Sequence, residues 1–218
     1  PAVTATVTGN ATYTAQWSQD KYTVTYAPGT QGTFTAQITS NLAYGAPTPA
    51  APTVTGNPGY TFTGWSPAVT ATVTGNATYT AQWSLRTDIA YTVNYLEKDS
   101  NNALAKAKNG TGIFGKDVTE SAIDITGYNK VAPVTQTINL KAEGNVINFY
   151  YTARTDIAYT VNYLEQGTDE ILAPAKNGTG TFGTDVTESA IDITGYNKVD
   201  PTSVTLTLAE KDNVINFY

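Results

Sequence analysis

The side chains that could carry out acid–base chemistry are two pairs of carboxylates. Glu120 and Asp124 are four residues apart, and Glu188 and Asp192 repeat that spacing. Two carboxylates that flank a substrate can act as general acid and general base. We predict one helical turn at this position, and residues four apart lie on one face of a helix. On so short a turn the carboxylates are predicted to form a solvated face, not a catalytic pair.

A second candidate for chemistry is the polar stretch Asp99-Ser100-Asn101-Asn102, whose oxygen-bearing side chains partly resemble a calcium-binding loop. Calcium loops use a denser series of acidic ligands. The duplicated copy of this region reads Gly167-Thr168-Asp169-Glu170 instead. Because a metal site on a duplicated scaffold should be present in both copies, we expect no metal site here.

Most other catalytic chemistry needs residue types that the chain lacks. It contains no histidine, no cysteine and no methionine. A Ser-His-Asp or Cys-His arrangement, a thiolate zinc site and a disulfide are therefore excluded within this chain. We expect no enzyme activity, no catalytic residues and no cofactor.

The charge of the chain restricts its partners. The formal net charge is −6, from 18 acidic and 12 basic residues, and the basic residues are scattered. Such a chain repels phosphate backbones, so we expect it not to bind nucleic acid. No apolar run approaches the ~20 residues that would span a bilayer, and we expect no membrane insertion in this segment.

Internal repeats define the organisation of the chain. Residues 1–18 recur unchanged at 67–84, and residues 86–150 recur at 154–218 without a gap. Since the chain begins and ends inside a repeat, we expect it to be part of a longer protein. The repeats predict a partial upstream repeat (a hairpin) and three modules: residues 1–19, 20–85, 86–153 and 154–218.

One stretch differs between the two C-terminal copies. Lys98–Ala107 (KDSNNALAKA) corresponds to Gln166–Ala175 (QGTDEILAPA), and the two differ almost throughout. Identical flanking sequence with one variable stretch indicates a scaffold with a variable loop.

Alternation of apolar and polar residues predicts strands. Each module opens with a Y-T-V-x-Y strand and closes with a strand rich in aromatics, and a Gly-Tyr pair lies between them. The opening strands contain Tyr22-Val24-Tyr26, Tyr91-Val93-Tyr95 and Tyr159-Val161-Tyr163, and the pairs are Gly59-Tyr60, Gly127-Tyr128 and Gly195-Tyr196.

Two hairpins and one helical turn per C-terminal module complete the predicted elements. A strand at Val3–Thr8 followed by Gly9-Asn10 predicts a hairpin, with Tyr13, Ala15 and Trp17 on one face of the return strand. Its copy is Val69–Trp83 around Gly75-Asn76. The helical turn is predicted to begin at Thr119 as its cap, with Ala122, Ile123 and Ile125 facing inward. The fold class is therefore mostly β, with an α+β character.

The two C-terminal modules resemble MucBP (mucin-binding protein) repeats. The resemblance rests on YTVNYLE, the G-x-x-G spacing at Gly112–Gly115, ITGYNKV and the closing NVINFYY. Module one resembles the Listeria–Bacteroides repeat of the internalin B-repeat type through KYTVTY, a P-x-x-P segment and GYTFTGW followed by YTAQW. Ser66 stands where that family commonly has another aromatic.

These resemblances imply tandem β-grasp-like (ubiquitin-like) modules arranged as an elongated rod. They also imply an extracellular protein of a Gram-positive bacterium, anchored to the cell wall through parts of the parent protein outside this chain, and we expect the chain to be monomeric. Two functions follow. The first is an adhesin segment that binds host mucin-type glycans weakly and multivalently. The alternative is a stalk that presents a distal adhesive domain and has no ligand of its own.

An exposed aromatic patch equivalent in modules two and three would favour glycan binding over the stalk. Tyr91, Tyr95, Tyr128, Phe149 and their repeats are predicted to be core residues, because aromatic side chains bury large areas. Tyr44 and the outward-facing member of Phe149-Tyr150-Tyr151 are predicted to be exposed, and Tyr151 with the variable loops is the first target for mutation. No ligand-binding residue is assigned.

Two modifications are also conceivable from the residue types. Surface proteins of this class sometimes form Lys–Asn isopeptide bonds with a carboxylate helper. Candidate partners are present in both copies: Lys108, Lys130, Asn145, Asn148 and Glu120, repeated at Lys176, Lys198, Asn213, Asn216 and Glu188. The sequons at Asn10, Asn76, Asn109 and Asn177 are interpreted as turn and glycine-rich loop residues, not as glycosylation sites.

Overall fold

The computed structural model describes residues 2–3, 6 and 8–218, and the chain forms two compact units, Pro1–Arg86 and Thr87–Tyr218. Among the described residues the secondary structure consists of β-strands and turns, without a helix. The first unit contains module one, and the second contains modules two and three. Each unit is described by itself below.

Module one is a four-stranded mixed sheet. Its opening strand pairs in parallel with its closing strand, and each of these has an antiparallel partner on its other edge. The strand order is β2-β1-β4-β3. The strands are β1 (Lys21–Ala27), β2 (Gln37–Ala43), β3 (Tyr60–Ser66) and β4 (Ala77–Leu85).

Module two has the same sheet and adds a separate two-stranded hairpin. The sheet order is β6-β5-β10-β8, again with a parallel central pair, and β7 pairs with β9 in the hairpin. The strands are β5 (Ile89–Glu97), β6 (Lys108–Gly112), β7 (Asp117–Ser121), β8 (Tyr128–Lys130), β9 (Thr135–Asn139) and β10 (Asn145–Ala153).

Module three repeats this arrangement with one strand fewer. Its sheet order is β12-β11-β15, with β11 and β15 parallel, and β13 pairs with β14. The strands are β11 (Ile157–Leu164), β12 (Ile171–Gly180), β13 (Asp185–Ser189), β14 (Ser203–Thr207) and β15 (Val214–Phe217). Residues 196–198, which correspond to β8, form no strand.

The core of module two shows how the sequence pattern becomes a sheet. Ile89, Tyr91, Val93 and Tyr95 alternate along β5 and are buried, while the residues between them are more exposed. The period of two places these four side chains on one face of the sheet. Phe149 of β10 stacks on Tyr95 with ring centroids 6.3 Å apart. The predicted opening and closing strands are thus present, and their aromatics form the core as predicted.

The predicted helical turn at Thr119 is wrong, since Thr119 lies in strand β7. Its hydroxyl is 2.7 Å from the hydroxyl of Thr137 on β9, and Ser121 pairs with Thr135 in the same way. β-branched residues lose side-chain freedom in a helix but pack well on a pleated strand. The alternation of Thr and Val in this segment therefore favours a hairpin over one isolated helical turn, and the α+β part of the fold class is wrong.

The predicted hairpin at Val69–Trp83 is also wrong. Both edges of β4 are taken, one by β1 and the other by β3, so residues 69–74 have no free edge to pair with there. Val73 instead exchanges backbone hydrogen bonds with residues 45 and 46. The upstream copy at Val3–Thr8 lies largely outside the described residues, and residues 8–19 form no strand.

The variable stretch is a loop in one module only. Lys98–Ala107 consists of turn and irregular backbone apart from one isolated bridge. In module three, residues from Ile171 onward belong to β12, with Ala173 opposite Tyr163 and Ile171 opposite Leu164. The apolar run Ile171-Leu172-Ala173 lengthens the edge strand, which explains why the loop prediction fails for this half of the stretch.

Tyr151 provides a test of the core of module two. Its ring is fully buried, and its hydroxyl donates a hydrogen bond to the Ile123 carbonyl at 2.9 Å. We expect Tyr151→Ala to lower the free energy of unfolding of module two by ~3–5 kcal/mol, the usual cost of truncating a buried aromatic. Tyr151→Phe removes only the hydrogen bond and should cost about 1 kcal/mol.

Native-state hydrogen exchange of the β5 and β10 amides measures these losses. Val146→Ala on the same strand is the matched control, because this side chain is half exposed and should cost less than about 1 kcal/mol. A Tyr151→Ala cost no larger than that of the control would contradict the packing described here.

Candidate functional site

The only charged cluster that the two C-terminal modules share in full detail joins a lysine, a glutamate and a tyrosine, judged on the described residues. Lys108 Nζ lies 2.7 Å from Glu120 Oε2, and the Tyr91 hydroxyl donates to Glu120 Oε1 at 2.7 Å. In module three, Lys176 and Tyr159 contact Glu188 in the same way, at 2.6 Å and 2.7 Å. These residues come from three strands, so the cluster ties the hairpin to the edge of the main sheet.

A glycine makes this geometry possible. The Tyr91 ring crosses over Gly110 of β6 on its way to Glu120, and a Cβ on Gly110 would lie 2.3 Å from that ring. Gly178 stands in the same relation to Tyr159. The G-T-G sequence of the middle segment is therefore explained by close approach of an aromatic ring.

The shifts in pKa show that this cluster rests in one protonation state near neutral pH. Hydrogen bonds from Lys108 and then from Tyr91 lower the pKa of Glu120. The hydrogen bond to Glu120 raises the pKa of Lys108 and the pKa of the Tyr91 phenol. All three shifts move ionisation away from neutrality, whereas a general acid or base needs a pKa near the working pH. The cluster is thus arranged as a clamp and not as a proton-transfer site.

The predicted carboxylate pairs are not brought together. Glu120 belongs to the clamp, whereas Asp124 is fully exposed and forms an ion pair with Lys130 at 2.8 Å. Asp192 forms the same pair with Lys198 at 2.8 Å. Because the segment is a strand followed by a turn, the four-residue spacing does not place the two carboxylates on one face.

The calcium-like stretch forms a turn closed by its own side chains. Ser100 Oγ donates to the Glu97 carboxylate and accepts from the Asn102 amide, and Asn101 has a φ of 57°. In module three, Thr168 donates to Glu165. No group of three or more acidic side chains that could hold a metal ion occurs in the part of the chain that the structure describes.

The candidate isopeptide residues have other partners. The Asn145 side chain bonds the backbone of Lys141 and Ala90, and the Asn148 side-chain oxygen accepts from Asn94. Asn213 and Asn216 repeat these contacts. Since Lys108 and Lys130 pair with carboxylates, the described contacts do not place a candidate lysine against a candidate asparagine.

The aromatic residues predicted to be exposed divide into two cases. Tyr44 is largely exposed, with its ring 6.4 Å from that of Tyr22. Tyr151 is fully buried, so it is unsuited to contact a ligand and is a core residue. The large apolar side chains that module two exposes are aliphatic: Ile113, Ile123, Val134 and Val146. An exposed aromatic patch equivalent in modules two and three is therefore not present among the described residues.

The sequence gave no warning of a close joint between modules two and three. Three residues separate β10 from β11, and the first of them, Arg154, bonds both modules. Its amide donates to the Gly127 carbonyl at 2.9 Å, and its carbonyl accepts from the Phe182 amide at 2.8 Å. The Arg154 guanidinium makes two hydrogen bonds to Asp156 and lies 3.8 Å from Glu210 of module three.

Ring packing closes the same joint. Phe182 of module three packs edge-on against Tyr128 of module two, with centroids 5.7 Å apart. Gly127 has a φ of 79°, and a Cβ there would lie 2.4 Å from the Phe182 ring. The Gly-Tyr pair therefore supplies both a turn and a flat surface for the neighbouring module. The short R-T-D link and the repeated Gly-Tyr pair are the sequence signals that could have revealed this joint.

No protein-family model matches the chain, and no curated protein matches it. Among solved structures, the chain is similar to Mub-RV, with 12% identity over 63% of this chain and 100% of that chain and a TM-score of 0.24. It is also similar to the Bacillus anthracis TIE protein, with 10% identity over 91% of this chain and 50% of that chain and a TM-score of 0.34. Both TM-scores are below 0.5, so these likenesses assign neither fold nor function.

The described residues include no helix long and apolar enough to cross a membrane.

The clamp generates a prediction about pH. A lowered pKa in the folded state means that the stabilisation is present above the ordinary pKa of a glutamate and is lost as the pH falls through the folded-state value. We expect carboxyl ¹³C NMR titration to give Glu120 a pKa below that of an ordinary glutamate. Lys108→Met should raise this pKa toward the ordinary value, because the largest cause of the shift is removed.

Lys106→Met is the control, since it removes an equal charge two residues away but leaves the ion pair to Glu120 in place. An equal rise of the Glu120 pKa in both variants would show that general charge, and not the direct contact, sets the shift.

Proposed function

We propose that the chain is a structural spacer of a cell-surface protein, in which directly joined β modules position other parts of the parent protein. The observation that carries this proposal is the Arg154 joint, whose backbone bonds one module through its N–H and the next through its carbonyl. A link of three residues with both backbone groups bonded leaves little freedom between modules two and three. A flexible tether would instead be longer and rich in Gly and Ser.

The chemistry of the modules supports a structural role. The Lys108–Glu120 clamp and its copy in module three hold each hairpin on its sheet. Their charges are satisfied within the module and are not directed at a partner. We infer on these grounds that the chain is not an enzyme and that its charged clusters maintain the fold.

The sheet order supports a β-grasp-like module. Modules one and two share a central parallel pair flanked by antiparallel strands. The connection between the second and third strands of such a sheet would carry a helix in a β-grasp fold, and in module two it carries the β7–β9 hairpin instead. We propose that these modules are helix-less relatives of that fold, as their resemblance to MucBP and Listeria–Bacteroides repeats implies.

Glycan binding is the second candidate, and it rests on the resemblance to MucBP repeats. Sugar recognition on a flat protein surface usually needs exposed aromatic rings, and the exposed apolar residues of module two are aliphatic. The spacer is therefore the function that the geometry favours.

A mucin titration separates the two functions. The chain is titrated over immobilised mucin, native and deglycosylated, with a lectin as the positive control and a Tyr44→Ala variant as the probe of the exposed tyrosine. A spacer predicts no saturable binding up to millimolar chain concentration, a range in which even weak modules would saturate. Saturable binding to native mucin that falls when the glycans are removed would contradict the spacer and establish the adhesin function.

A further inference from the structure

Module three contains an apolar groove at the open end of its sheet. The groove has a volume of about 170 Å³, and Tyr163, Leu172, Ala190, Ile193 and Tyr196 contribute to its walls. Tyr218, the last residue of the chain, lies at its rim. A dry apolar cavity of about 150 Å³ is large enough to bind benzene, so this groove has room for one aromatic ring.

Module two shows which group fits this groove. The corresponding residues, 68 positions earlier, are Tyr95, Leu104, Ala122, Ile125 and Tyr128, and all pack in one core cluster with Tyr151. Tyr151 is fully buried there, and its hydroxyl donates to the Ile123 carbonyl. Ile191, the counterpart of Ile123, lines the groove of module three. The groove thus has the walls of a tyrosine site, and Tyr218 corresponds to Tyr150.

The strands around the groove are correspondingly short. In module two, Tyr151–Ala153 extend β10 and pair with β8, and the Tyr151 carbonyl accepts from the Lys98 amide. In module three, β15 ends at Phe217 and residues 196–198 form no strand. Half of the Tyr196 side chain is exposed, whereas its counterpart Tyr128 is partly buried. The backbone edge beside the groove is therefore available for a further strand segment.

We propose that this groove is the receptor site for a tyrosine side chain carried on an extended segment that is joined to Tyr218 and lengthens β15. The ring fills the cavity, and its hydroxyl donates to the backbone at Ile191, as Tyr151 does at Ile123. The backbone of the segment pairs with residues 196–198, so that recognition combines strand addition with one side-chain pocket. The segment is the counterpart of Tyr151–Arg154.

Hydrogen exchange on extended chains tests this site. The 218-residue chain is compared with one extended by Tyr-Thr-Ala-Arg and with one extended by Ala-Thr-Ala-Arg. We expect the tyrosine extension to slow exchange across residues 190–199 by at least about tenfold, since burial of one aromatic ring stabilises the closed state. The alanine extension keeps the backbone pairing without the ring and should give only a small part of that protection.

Exchange in β5 and β10 of module two serves as the internal control and should not change. Equal protection by the two extensions would overturn the proposal, because it would show that the cavity does not recognise the ring. Protection of residues 190–199 that appears in the unextended chain as its concentration rises would also overturn it, since the occupant would then be a second copy of the chain.

Discussion

Parallel pairing of the opening strand with the closing strand is the interaction on which each module depends. It joins β1 to β4, β5 to β10 and β11 to β15. A parallel pair cannot be made by a tight turn, so the residues between the two strands must cross from one end of the sheet to the other. The repeated stacking of Tyr95 on Phe149 and of Tyr163 on Phe217, each with centroids 6.3 Å apart, packs the two strands across this pair.

The same pairing determines how one module meets the next. The closing strand lies in the centre of the sheet and points out of the module, so its continuation reaches the neighbouring module at once. In module two that continuation contains Tyr151, which completes the core, and Arg154, which bonds both modules. One segment of four residues thus closes one fold and begins the contact with the next. This coupling explains why the groove of module three and the joint of module two involve corresponding parts of the repeat.

The sequence predicts the strands better than their partners. The Y-T-V-x-Y strands and the aromatic core follow from a period of two, which is a local signal. Whether Thr119 belongs to a helix or a hairpin depends on Thr137, eighteen residues away, and Val69–Trp83 fails as a hairpin because other strands occupy both edges of β4. These outcomes depend on contacts between segments that no local pattern records.

The candidate site was equally hidden from local reading. Lys108 and Glu120 are twelve residues apart on different strands, and neither position is distinctive by itself. Their presence in both copies, together with Tyr91 and Tyr159, was the available signal, but it does not indicate which residues meet. The joint could be anticipated only in part, since a Gly-Tyr pair predicts a turn without revealing that Phe182 packs against it.

The central claim is that modules two and three are held as one body by the Arg154 joint, and residual dipolar couplings in one aligned sample test it most directly. Backbone couplings are fitted separately for residues 89–153 and 157–217, in the unmodified chain and in Phe182→Ala. A fixed joint predicts one alignment tensor of equal magnitude for both modules, and a smaller magnitude for one of them in the variant. Different magnitudes in the unmodified chain would show independent motion of the modules and contradict the claim.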